Sequence, residues 1–143
     1  MVETAPIVRS VDIATTAERL FPLLVEPESL QQWWPDVAEL EPHVGGRVRM
    51  EFRGGESIVT GEVKRFEPPR ALAFTWVRAE RPEISTFVEL TVTELDSQCC
   101  RVEVVHSGWE HAPEWRPLHD AGWVHFLDCL AALAEGRPFD KQF

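Results

Sequence analysis

Between residues 86 and 95 apolar and polar side chains alternate, with Val88, Leu90 and Val92 on one side and Glu89, Thr91 and Thr93 on the other. A period of two marks a strand with one buried face. The same period puts Leu72, Phe74 and Trp76 together over 71–77, Val102, Val104 and His106 together over 99–106, and Ile7, Val11 and Ile13 together over 7–13. Residues 47–53 and 56–66 flank Gly54-Gly55, a two-residue hairpin signal. The links are short: Pro68-Pro69, the polar stretch around Arg81-Pro82-Glu83, and Asp96-Ser97-Gln98. Short links between successive strands imply an antiparallel meander.

Helical spacing replaces this alternation in three places. Ala17, Leu20, Phe21 and Leu24 follow Thr15-Thr16-Ala17-Glu18, which reads as a capping box between the Thr15 hydroxyl and the Glu18 carboxylate. Pro22 lies inside this helix and is expected to kink it or remove one hydrogen bond. Pro27 opens a second short helix with Leu30, Trp33 and Trp34 toward its buried side. The longest helix runs from about Trp115 to Glu135, about 30 Å at 1.5 Å per residue. Its stripe is Trp115, His119, Gly122, Trp123, Phe126, Leu130 and Leu133, with Asp120, Asp128 and Glu135 opposite and Gly136 and Pro138 ending it. One-sided strands need a cover, and only this helix is large enough. The expected fold is α+β, a helix-grip domain spanning 1–143, in which a curved antiparallel sheet wraps around the C-terminal helix and two short helices follow the first strand.

Charge and cysteine content narrow the partners. Asp and Glu number 24 against 14 Lys and Arg, a formal charge of -10. Such a surface opposes the phosphate neutralisation that drives nucleic-acid binding, and it opposes anionic lipid equally. Cys99 and Cys100 are adjacent, so in a strand they face opposite ways and cannot pair; with Cys129 they read as free thiols in a reducing compartment. The start Met1-Val2-Glu3-Thr4-Ala5-Pro6 lacks the basic and apolar parts of a signal peptide. The apolar stretch Leu20 to Val25 is too short to cross a bilayer. The expected location is the cytoplasm.

A set of phrases occurs in order along the chain: Val8-Arg9 with Ile13-Ala14, Glu26-Pro27-Glu28-Ser29-Leu30-Gln31-Gln32-Trp33-Trp34, Val44-Gly45-Gly46, Gly61-Glu62-Val63, Phe66-Glu67-Pro68-Pro69, Leu72 with Phe74-Thr75-Trp76, His106-Ser107-Gly108 and Gly122-Trp123. Together with the element order, this set resembles the START-like superfamily and, within it, the family named for activators of the heat-shock-protein-90 ATPase. The resemblance runs from about residue 7 to residue 134. It implies a fold and a cavity, without a catalytic motif to transfer. The eukaryotic co-chaperone has a separate N-terminal domain that these 143 residues do not contain, so heat-shock-protein activation is not carried over.

Six tryptophans and no tyrosine suggest broad apolar walls, each carrying one hydrogen-bond donor. Residues expected to contact a ligand are Trp34, Trp76, His106, Trp109, Trp115, His119, Gly122, Trp123 and Phe126. His106 is expected to point inward from the last strand, with His119 mid-stripe on the long helix one turn before Gly122. A glycine inside a helix costs about 1 kcal/mol relative to alanine, so Gly122 suggests that space is needed there. No metal is expected: His106, His111 and His119, with Glu110, have four and then seven residues between successive histidines, which matches no compact ligand pattern. No cofactor is expected, and no catalytic residue is assigned. His106 and Ser107 diverge as strand neighbours, and no nucleophile elbow or phosphate loop occurs.

The expected function is binding of a small, largely apolar molecule between the sheet and the long helix. Two alternatives stand beside it. One is an enzyme of cyclase, hydrolase or isomerase type using a cavity histidine. The other is an interaction module, a chaperone partner or homodimer, marked by an exposed Trp109 in the loop Ser107-Gly108-Trp109-Glu110.

Overall fold

The computed structural model describes residues 3–143; Met1 and Val2, read above as part of a terminus without a leader, lie outside the described residues. The elements in order are β1 (Ile7–Ile13), α1 (Ala17–Val25), α2 (Pro27–Trp33), β2 (Val37–Leu40), β3 (Arg47–Phe52), β4 (Ser57–Glu67), β5 (Ala71–Arg78), β6 (Ser85–Asp96), β7 (Cys99–Ser107) and α3 (Arg116–Glu135). All strands join one antiparallel sheet in the order β1-β7-β6-β5-β4-β3-β2. Consecutive strands neighbour one another from β2 to β7, so this part is the expected meander. β1 closes the far edge against β7. The two short helices fill the chain's passage from one edge of the sheet to the other.

The sheet bends where its ladder is interrupted. Register shifts occur between Val63 and Arg65 in β4 and between Glu94 and Asp96 in β6, and such bulges increase local twist. Gly61 lies just before the first shift. A Cβ there would sit 1.9 Å from the Thr75 carbonyl oxygen, so close approach of β4 to β5 requires glycine at this position. The inward sides of the strands and one side of α3 then meet in a single core, which includes Val63, Leu72, Phe74, Val88, Leu90, Val102, Val104, Trp123, Leu127 and Leu130.

The ends of the helices are set by specific hydrogen bonds. Thr16, rather than Thr15, caps α1: its hydroxyl accepts from the Arg19 backbone N–H at 3.3 Å. The capping box expected one residue earlier is therefore corrected by the later start of the helix. Pro22 lies inside α1, which continues through it from Ala17 to Val25 without the bond that Pro22 cannot donate. At the far end of α3, Gly136 adopts φ +73°, Arg137 N–H donates to the Ala132 carbonyl at 2.8 Å, and Gly136 N–H to Leu133 at 3.3 Å. This pair of bonds is a Schellman stop, and it turns residues 137–143 back along the helix. Lys141 Nζ anchors that return by donating to the carbonyls of Gln31 at 2.6 Å and Pro35 at 3.0 Å.

β2 was not anticipated. It has four residues with only Ala38 and Leu40 buried, too short for alternation to stand out. Cys99, Cys100 and Cys129 are all free thiols. Among the described residues, no helix is long and apolar enough to cross a membrane, and no group of three His, Cys, Asp or Glu side chains could hold a metal ion.

Candidate functional site

Three tryptophans from α2, β5 and α3 meet at one end of the core. Trp34 terminates α2, Trp76 is an inward residue of β5, and Trp123 comes from the buried side of α3. Trp34 stacks on Trp76 with ring centroids 5.5 Å apart and planes 10° from parallel, and its centroid is 4.9 Å from that of Trp123. Offset contacts of this kind are favoured by the ring quadrupoles. They also fill much of the space expected to be free. What is left is a cavity of about 70 Å³ bordered by these indoles, His119, Gly122 and Phe126 among others. A groove of about 530 Å³ adjoins it, and the two share Trp34, Phe52, Arg53, Phe126 and Phe143.

His106 lies behind this wall and does not border the cavity. It is fully buried, and its hydrogen bonds fix its tautomer. An indole N–H can only donate, so Trp123 Nε1 at 3.0 Å makes Nδ1 of His106 the acceptor. The ring proton is therefore on Nε2, which donates to the Thr86 hydroxyl at 2.8 Å. Thr86 in turn donates to the Trp76 carbonyl at 3.3 Å. This chain of bonds links α3, β7, β6 and β5. Thr86 is placed for it by strand parity, two residues before inward Val88 and directly opposite Trp76.

His119 is held in the opposite tautomer. Trp76 Nε1 donates to its Nε2 at 3.3 Å, and its Nδ1–H donates to the Trp115 carbonyl at 2.8 Å. Burial, and secondarily the nearby His119, push the pKa of His106 well below the usual histidine value of 6.5. Burial chiefly lowers His119 to about 4, with the hydrogen bond to Trp115 opposing the shift. A second proton on His106 would also turn Nδ1 against the Trp123 N–H, donor against donor. Both imidazoles are neutral at pH 7.

The other sequence-derived candidates divide accordingly. Trp34, Trp76, His119, Gly122, Trp123 and Phe126 border the cavity. Trp109 does not: it is fully buried, its ring centroid 4.5 Å from that of His106 and its N–H donating to the His106 carbonyl at 2.8 Å. The exposed Trp109 expected for an interaction module is thus corrected. Gly108, at φ +99°, turns the chain so that the indole folds under it. Trp115 is half-buried beside the cavity, with the Arg78 guanidinium 4.8 Å from its ring centre. Gly122 leaves less room than expected. A Cβ there would meet only the edge of the Phe143 ring, at 3.7 Å, because the returning C-terminal segment already covers it.

Arg78 was missed, although its signal was present. It follows Leu72, Phe74 and Trp76 at the same parity, so a strand whose inward side is otherwise apolar ends in an inward arginine. It borders the cavity, as do Phe52 and Val59 by parity in β3 and β4. Phe143 could not have been found this way, since its position depends on the turn after α3.

The family described as Activator of Hsp90 ATPase homolog 1-like protein matches residues 14–135. No curated protein matches the chain. Among solved structures, DynU16, described as a putative protein in the dynemicin biosynthetic locus, superposes with a TM-score of 0.82 at 21% identity over 95% of this chain and 49% of its own. The chain thus spans about half the length of that protein. The Aha1 dimer from Colwellia psychrerythraea gives 0.78 at 22% identity, covering 92% of this chain and 96% of its own. An HSP90 activator from Plasmodium falciparum gives 0.76 at 15% identity, with 94% and 98% covered. These likenesses establish the shared helix-grip fold.

Proposed function

From its membership of the Activator of Hsp90 ATPase homolog 1-like family, and from the geometry beneath α3, we propose that this chain binds a small, largely apolar molecule. The observation that carries this reading is the cavity walled by Trp34, Trp76 and Trp123, continuous in its border with the larger groove. A dry apolar cavity of about 150 Å³ suffices for benzene. At about 70 Å³ the inner part takes one end of a ligand, while the 530 Å³ groove has room for the rest. Phe143 and Phe126 border both parts, so a bound molecule would pass against them.

The enzymatic alternative, in which a cavity histidine moves a proton, gains nothing from the bonding. Every ring nitrogen of His106 and His119 already has a protein partner. Both rings also titrate below the range useful at neutral pH. They act as fixed dipoles that orient Trp76 and Trp123.

Titrating tryptophan emission with 1-octanol and with toluene tests the reading. Saturable quenching is expected for the native chain. Gly122→Ala provides the matched variant. Its methyl group makes ordinary contact with Phe143 and improves helix propensity by about 1 kcal/mol. It should therefore melt at the same temperature or higher, yet bind several-fold more weakly because the methyl takes up part of the cavity. An emission spectrum unmoved up to the solubility limit of both compounds would rule the site out.

A further inference from the structure

Within the cavity border, the polar groups are mostly committed to the protein itself. The Trp76 and Trp123 N–H groups are spent on His119 and His106, and both nitrogens of His119 are engaged. Arg78 differs. Its Nε–H is buried and, among the described residues, has no hydrogen-bond partner, while Nη2 reaches Glu80 at 2.6 Å. A buried, unpartnered donor on a charged group is costly and rare in native proteins, and its usual explanation is an absent partner.

The sign of the charge around it points the same way. The chain carries ten more acidic than basic side chains, 24 against 14, yet the cavity border contains two arginines, Arg53 and Arg78, and no Asp or Glu. Their own partners, Glu56 at 3.5 Å and Glu80, stand outside that border. Glu80 balances the formal charge of Arg78 through Nη2 and leaves the Nε–H edge unpaired. The Arg78 side chain is also held in place, with its guanidinium on the face of Trp115. A fixed guanidinium edge at one end of an indole-walled space is a receptor for an oxygen anion attached to an apolar body.

Resting on the binding site proposed above, we infer that the ligand is a hydrophobic carboxylic acid, its carboxylate paired with the Arg78 guanidinium and its apolar body lying along the tryptophans toward the groove. A carboxylate fits better than a phosphate. Both arginines of the border already have a carboxylate partner, so the site balances the single charge of a carboxylate more readily than the double charge of a phosphate.

The test compares acids with their uncharged amides of the same shape: octanoate with octanamide, and phenylacetate with phenylacetamide, by calorimetry at pH 7. The acids should bind at least about tenfold more tightly than the amides, because a charge-assisted bond replaces a neutral one. Arg78→Gln should remove that preference while leaving amide binding in place. Glu80→Gln, which lies outside the cavity border, should increase it by freeing the guanidinium. If Arg78→Gln unfolds the chain through loss of its contact with Trp115, the Glu80→Gln result and the acid-to-amide ratio still decide the matter. Equal binding of acid and amide, unchanged by Glu80→Gln, overturns the carboxylate inference and leaves the apolar site standing. Binding of neither class, with no response to 1-octanol, overturns both.

Discussion

Replacing His106 with alanine is expected to lower the unfolding free energy by about 3–5 kcal/mol, a large part of what a domain this size has to lose. The residue is completely buried and both ring nitrogens are bonded. Its removal strands the Trp123 indole N–H, takes away the bond that the Thr86 hydroxyl accepts while its own donor bond to the Trp76 carbonyl remains, and opens a void between Trp109 and Trp123. Each buried unpaired group costs about 1–3 kcal/mol, and the void adds to this. Urea denaturation measures the loss. His119→Ala should cost distinctly less, because His119 is only half-buried and already borders empty space. A double-mutant cycle of His106→Ala with Trp123→Phe should show a coupling of about 1 kcal/mol or more. Near-zero coupling, or a loss below about 1 kcal/mol for His106→Ala, would mean that the linked bonds do not hold the helix to the sheet.

Acid should destabilise the fold in a window set by the same two histidines. In the unfolded chain each titrates near 6.5, whereas His119 in the fold titrates at about 4 and His106 lies well below its usual value. Above pH 6.5 both states are neutral at these positions and contribute no pH dependence. Between pH 6.5 and 4 the unfolded chain takes up protons that the folded chain refuses, so stability falls as pH falls. At about 1.4 kcal/mol per pH unit, His119 alone accounts for a loss of about 3 kcal/mol across this window, and below pH 4 its contribution levels off. His106 adds to the loss in the same direction. The ion-paired carboxylates whose pKa values are lowered, such as Asp12, Asp120 and Glu135, begin to contribute only at the acid end. Urea midpoints taken at half-unit steps should show the slope, and His119→Gln should reduce it by one proton's worth. A flat profile from pH 6.5 to 4.5 would contradict the burial of both imidazoles as neutral groups.

Side-chain parity carried most of the architecture. β6 and β7 were legible because Val88, Leu90 and Val92 and then Val102, Val104 and His106 are buried without a break. α3 was legible from its stripe and from Gly136 at its end. Local pattern failed where the deciding contact is distant in sequence. Thr15 and Thr16 offer the same hydroxyl, and only the start of α1 selects between them. Trp109 lies in a loop whose composition says nothing about burial; the bond from its indole to the His106 carbonyl decides it. Within the site, the tryptophans and His119 were readable as inward residues, but the amount of space between them was not, because it depends on how the indoles stack. Arg78 shares the parity of Leu72, Phe74 and Trp76, but an arginine at a strand end breaks the apolar alternation and so does not register as an inward residue.

The most direct measurement is the indole region of a ¹H–¹⁵N spectrum during titration with octanoate, in which the six tryptophans report separately. Signals of Trp34, Trp76 and Trp123 should move progressively and saturate, while fully buried Trp33 and Trp109, bonded to the Leu23 and His106 carbonyls, stay in place. If all six stay fixed, or if Trp33 and Trp109 move as far as the other three, the space beneath α3 is not a binding site.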